Sequence, residues 1–214
     1  MSKRTAVTTP TVGRPRRFDH ETERGMLMDA AMRVMARNGY AAMSVGDVLT
    51  ESGLSTRAFY RHFDSREALL PALVRRDSES VGTSLARAVA GAADPVAALD
   101  AWLERYLDVF FEPKRAARTA LFSSAALTAA LPIAHEAQEM RRIFCRPLIE
   151  VLRAGHEAQI LYSPTPVADA YTMFGLVNAV FNRHDTQFRT RASAKAHVLR
   201  FAGPALGLPT RADP

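Results

Sequence analysis

The eleven residues of GLSTRAFYRHF, Gly53 to Phe63, hold three basic side chains, Arg57, Arg61 and His62, among three aromatic rings, Phe59, Tyr60 and Phe63. No acid interrupts them, so their chemistry is recognition of an electron-rich partner. A guanidinium at Arg57 suits the acceptor edge of guanine, and Thr56 suits a base edge or a thymine methyl. Tyr60 and His62 suit phosphate oxygens, contacts that position a protein on a duplex. Ser55 and Arg61 complete the polar side, while Leu54, Ala58 and Phe59 are left as packing residues.

Other chemistries find little support. HEAQE, from His135 to Glu139, lacks the second histidine of a zinc-protease helix, and no glycine-rich phosphate loop, cysteine cluster or G-x-S-x-G elbow occurs. His184-Asp185 falls near an expected helix end, where a cationic histidine suits the dipole. No catalytic residue, metal ligand or cofactor is therefore expected. Cys145 is the sole cysteine, which excludes an intramolecular disulfide. It reads as a buried structural thiol, with a redox sensor activated by Arg142 and Arg146 as the alternative.

These residues need elements to hold them. The periodicity is helical nearly throughout, without sustained period-2 alternation or internal repeats, so the fold class is all-α with about nine helices. A first helix is expected over 20–38, stopped by Gly39. Ser44 with Asp47 forms a capping-box-like pair for a second helix. Gly53 breaks the chain, and Ser55 or Thr56 caps a third helix to about His62. Two short helices joined by a tight glycine-containing turn form a helix-turn-helix, in which the first braces the second for entry into a major groove about 12 Å wide. Asp64 with Glu67 suggests the cap of a fourth helix. Longer helices follow: Asp94-Pro95 to about Phe111, with Pro113 as its stop, then 114–130, Pro132 to about Gly155, Thr165-Pro166 to about His184, and Ser193 to Leu206.

Composition sets the class. With 48% hydrophobic and 23% charged residues in 214, the chain reads as soluble and globular. No apolar run approaches the roughly 18 residues of a membrane span, and the N-terminus has no apolar core of a secretory signal. No membrane partner and a cytoplasmic location are the expectation. Residues 1–18 carry Lys3, Arg4, Arg14, Arg16 and Arg17 without an acid, so the formal charge of +6 is concentrated in a flexible basic arm suited to phosphate.

The run RGMLMDAAMRVMARNGYAAMSVGDVLTESGLSTRAFYRHFDSREALLPALV, from Arg24 to Val74, resembles the TetR family of bacterial transcription regulators. Gly39-Tyr40, the Ser44 cap, GLSTRAFYRHF and DSREALL carry the likeness. The resemblance implies a three-helix DNA-binding domain over 19–64. It also implies a larger C-terminal helical bundle over 65–214 that binds a small effector and forms a homodimer. Carried over by position, Ser44 contacts phosphate, Thr56 and Arg57 approach bases, Tyr60 and His62 grip the backbone, and Ser55 is a weaker candidate. Arg66 stands near phosphate where the family often has lysine. GRPRRF resembles the Gly-Arg-Pro core of minor-groove arms, with Arg14 and Arg16 following the groove. The implied partners are a double-stranded, pseudo-palindromic operator and a small molecule.

The resemblance also places a ligand cavity among Trp102, Tyr106, Phe110, Phe122, Met140 and Phe144, with Tyr106 and His135 as polar anchors. Few charges sit among these residues, which favours an apolar or aromatic ligand; read by themselves, rings at helical spacing are more often core. Ala170, Phe174, Asn178 and Phe181, with Val198 and Ala202 of the last helix, form faces suited either to a four-helix dimer interface or to packing within the chain. The expected protein is a ligand-responsive repressor. The contrasting reading is a helical carrier or enzyme with a purely structural N-terminal domain.

Overall fold

Helix starts in this chain are set by short polar side chains that accept from otherwise unpaired N–H groups. In the computed structural model, which describes residues 19–122, 133–181 and 188–209, nine α-helices and no strands occur among the described residues. The first is α1 (His20–Asn38), capped by Asp19. In α2 (Val45–Ser52), Ser44 and Asp47 close a full capping box. Ser55 caps α3 (Thr56–His62), and Asp94 caps α5 (Pro95–Phe111) with proline in the first turn.

Three boundaries differ from the sequence expectation. α4 (Arg66–Ala90) is capped by Ser65, whose hydroxyl accepts from the Ala68 N–H at 3.1 Å, not by Asp64. Pro113 both follows α5 and opens α6 (Pro113–Phe122), because a first-turn residue needs no N–H. α9 (Arg191–Ala205) starts two residues before Ser193, which serves as the third residue of a capping box led by Thr190. Between them lie α7 (Ile133–Glu157) and α8 (Pro166–Phe181). The expected continuations to residue 130 and to His184 lie outside the described residues.

Two apolar cores organise these helices. The first gathers Leu27, Ala31 and Val34 of α1, Val48 of α2, Phe59 of α3 and Leu69, Leu70 and Leu73 of α4. The second gathers Val81 and Leu85 of α4 with Trp102, Leu103, Leu148, Leu152, Val177 and Val198. α4 thus serves both, and the cores divide along this helix, not at residue 64. Where α4 crosses α7, Gly82 is required by close approach: a Cβ there would stand 2.4 Å from Cγ2 of Ile143.

Ion pairs connect the layers. Arg76 of α4 reaches Asp29 of α1 at 2.9 Å, and Arg118 of α6 reaches Asp77 of α4 at 3.2 Å. Burial raises the Asp77 carboxyl above its ordinary pKa, opposed by Arg118. On the far side Lys195 of α9 lies 2.7 Å from both Asp100 and Glu104 of α5, and Arg191 lies 2.5 Å from Asp108.

Candidate nucleic-acid interface and ligand region

The turn between α2 and α3 needs Gly53. Its φ of 67° and ψ of 17° are left-handed, a conformation that costs other residues, and its N–H closes α2 on the Leu49 carbonyl at 2.9 Å. Beyond the turn, Phe59 and Phe63 pin α3 to the first core, with Ala58 buried beside them. Thr56 and Arg57 are exposed, and Tyr60 is 54% exposed although its ring packs edge-on to Phe59. A hydroxyl, a guanidinium and a phenol therefore project from the start and outer face of a seven-residue helix.

The bracing is ionic as well as apolar. Glu51 at the end of α2 accepts from Arg33 at 2.6 Å and from Arg37 at 2.5 Å, and these two guanidiniums hold its carboxyl below the ordinary range. Ser44 accepts from the Asp47 N–H at 3.1 Å and donates to the Asp47 carboxylate from Oγ at 2.6 Å and from its own N–H at 2.8 Å, and these two donated bonds lower the Asp47 pKa. Ser44 is thus placed at the N-terminus of α2 with its hydroxyl already engaged in the cap.

His62 does not lie where a phosphate contact requires. Its side chain is fully buried, with Nε2 3.2 Å from Glu23 and the ring 4.2 Å from that of His20. Arg61 ion-pairs with the same carboxylate. The His62 and Arg61 hydrogen bonds hold Glu23 below its ordinary pKa. The last turn of α3 is therefore locked to α1, a pairing across 39 residues. Arg66 is also engaged: it donates to the Met43 carbonyl at 2.8 Å and to Glu67 at 3.0 Å, with its guanidinium 4.7 Å from the Tyr40 ring centre. It orders the loop before α2. Arg14, Arg16 and Arg17 lie outside the described residues.

In the bundle, the expected ligand residues separate. Trp102 is fully buried and donates from Nε1 to the Phe144 carbonyl at 3.0 Å. Tyr106 accepts from Asn178 Nδ2 at 2.6 Å and stacks on Phe174 at 5.5 Å, and burial pushes its phenol pKa well up. Phe110 stacks on Phe181 at 3.9 Å, and Phe144 meets Tyr106 edge-on. Met140 packs at the edge of this group. Phe122 departs from the expectation: from the end of α6 it packs with Leu121 against the first core. His135 opens instead onto a cleft between α1, α4 and α7.

The residues expected at a dimer interface face their own chain. Ala170 and Val198 have no exposed surface, Phe174, Asn178 and Phe181 engage the aromatic group of α5, and Ala202 packs on the second core. α8 is apolar on most sides, and its sequence does not distinguish inner from outer. Its outward row is Ala168, Thr172, Gly175 and Ala179, beside exposed Val167. Ala196 and Phe201 are exposed on α9. Cys145 is buried, its Sγ 3.6 Å from the Ala170 carbonyl, and burial pushes its thiol up to about 12. That environment disfavours the redox-sensor reading.

Among the described residues no helix is long and apolar enough to cross a membrane. Residues 27–73 match the family model of bacterial regulatory proteins, tetR family. An uncharacterised HTH-type transcriptional regulator of Mycobacterium tuberculosis strain CDC 1551 / Oshkosh is 32% identical over 69 residues, which cover 32% of this chain and 34% of that protein. The similarity thus spans about a third of the relative's length. A TetR/AcrR-family transcriptional regulator from Thermobifida fusca superimposes with a TM-score of 0.64 at 19% identity, covering 85% of this chain and 96% of the other. The transcriptional regulator FadR from Bacillus subtilis, solved in complex with stearoyl-CoA, superimposes with a TM-score of 0.63 at 16% identity, covering 83% and 96%. At such identities the superpositions establish the fold.

Proposed function

We propose that this chain, which belongs to the TetR family of bacterial regulatory proteins through its residues 27–73, is a homodimeric, cytoplasmic, ligand-responsive DNA-binding regulator that represses transcription. The observation that carries this is the division of α3. Phe59 and Phe63 are sunk in the first core while Thr56, Arg57 and Tyr60 stand clear of it. Arg57 reads a guanine edge, Thr56 a neighbouring base, and Tyr60 a phosphate. Ser55 and Ser44 offer the N-termini of α3 and α2 to the backbone. Arg14, Arg16 and Arg17 extend the contact into the minor groove. His62 and Arg66 support the interface from within.

Two copies joined through the outward faces of α8 and α9 would present two α3 helices to half-sites about one DNA turn apart. The effector is apolar or aromatic and enters among Tyr106, Phe110, Phe144 and Met140, where the rings are in mutual contact and must part to admit it. The acyl-CoA carried by the structurally similar FadR supports an apolar guest in this fold. α6 is placed to transmit the change, since Phe122 rests on the first core and Thr119 is bound to the Val109 carbonyl of α5.

Selection of bound DNA from a random pool tests the reading. A two-fold symmetric motif is expected. Arg57→Ala should lose roughly 1–3 kcal/mol of binding and relax preference at one position per half-site. A carrier or enzyme with a structural N-terminal domain would select no motif at any salt concentration, and that result would overturn the proposal.

A further inference from the structure

We propose that the cleft between the helix-turn-helix domain and the start of α7 binds a small organic monoanion: a carboxylate carried on an apolar body. It is separate from the aromatic region of the bundle. The cleft has a volume of about 420 Å³, within the roughly 300–1,000 Å³ typical of small-molecule sites. Phe63, Pro71 and Ala72 supply its apolar wall.

Its polar chemistry rests on three side chains from three helices. His62 lines the cleft with a fully buried side chain whose Nδ1 has no hydrogen-bond partner. Buried polar atoms are nearly always satisfied, so an orphan beside a cleft points to a guest. Arg24 of α1 has no carboxylate partner among the described residues; its guanidinium lies 5.3 Å from the Phe63 ring centre and 3.3 Å from the Met28 sulfur. Arg75 of α4 comes only to 4.0 Å of Glu79. Guanidinium groups so weakly engaged favour a carboxylate that can accept from both donors of the fork.

The surrounding charges select the guest. On the acidic side, Glu139 is neutralised by Arg142 through bonds of 2.8 and 2.6 Å. Asp64 and Glu136 remain at the rim. Their repulsion disfavours a dianion such as phosphate while leaving a single charge tolerable beside Arg24 and Arg75. On the basic side, His20 and Arg61 accompany His62, and His135 faces it from α7.

An occupant would touch α1, α3, α4 and α7 at once, and so would favour whichever arrangement of the DNA-binding domain keeps these walls together.

Calorimetric titration of the full chain with benzoate, with benzamide as the uncharged isostere and inorganic phosphate as the dianion, is the test. Saturable benzoate binding at one site per chain is expected, with no saturation by benzamide or phosphate. Arg24→Gln should weaken benzoate at least tenfold while leaving the circular dichroism spectrum unchanged, and Arg75→Gln provides a second variant on an exposed position. Absence of saturation would overturn the proposal, as would benzamide binding equally well or benzoate affinity unchanged in both variants. None of these readouts uses DNA, so the outcome is independent of the operator experiment.

Discussion

Gly82→Ala places a methyl where α4 and α7 touch. The new Cβ would stand 2.4 Å from Cγ2 of Ile143, whereas ordinary contact begins near 3.4 Å, so the two helices must separate by about 1 Å or Ile143 must leave its rotamer. Overpacking of this kind costs roughly 1–3 kcal/mol. Against it stands a gain of about 1 kcal/mol from replacing glycine inside a helix. The expected net loss is about 0–2 kcal/mol by chemical denaturation. The sign should depend on Ile143. Leucine has no Cγ2, and Ile143→Leu alone should cost under about 1.5 kcal/mol. In that background Gly82→Ala should stabilise by about 1 kcal/mol, giving a coupling of roughly 1–3 kcal/mol across the cycle. Because α4 also carries Leu69, Leu70 and Leu73 into the DNA-binding domain, the single variant should disturb operator affinity more than the double. Additive effects in the two backgrounds would refute the steric argument, whatever their size.

Acid should loosen the first core before neutral conditions do. Glu23, Glu51 and Asp47 all have folded pKa values below their ordinary 4.5, 4.5 and 3.8, held down by His62, Arg33 and Ser44 respectively. Their stabilising contribution is complete above those ordinary values and is lost as pH falls through the lower folded ones. Circular dichroism during acid titration should show this, and Glu51→Gln should make the midpoint less pH-sensitive; an unchanged profile would count against the ion pairs. Cys145, buried with its thiol pushed up to about 12, should react with a thiol reagent only on unfolding, and rapid labelling of the folded chain would contradict that burial. On the Lys195 ammonium, burial acts to lower the pKa, and the hydrogen bonds it donates to Asp100 and Glu104 more than offset that effect. Lys195→Met should therefore cost about 1 kcal/mol at low salt; a thermal midpoint shift that persisted in high salt would assign the effect to packing instead.

Local signals were readable from the chain, and long-range ones were not. Ser44-Asp47, Gly53 and Asp94-Pro95 act within one turn of their own position, and each lies where the pattern placed it. Ala58 and Phe59 likewise announced the inner face of α3. His62 follows Phe59 by three residues, which sets it beside that inner face, a signal that its basic character masked. Its partner Glu23 is 39 positions away, and no local pattern joins them. Trp102, Tyr106 and Phe110 recur at helical spacing, so one face was legible, but spacing cannot separate a core from a cavity. α8 is apolar on both sides, and only the packing shows that Ala170 faces inward while Gly175 faces out. The cleft at His62 is assembled from residues as distant as Arg24 and His135.

The helix that feeds both cores also sets where this protein can be cut and rejoined. Since Leu69, Leu70 and Leu73 complete the first core while Val81 and Leu85 complete the second, a chimera spliced after residue 64 would strip the recombined DNA-binding unit of one wall. The transferable module ends within α4, between Leu73 and Val81. Exchange of recognition domains between relatives must accordingly preserve helical phase across that joint, because each residue inserted or removed there turns everything downstream by about 100°.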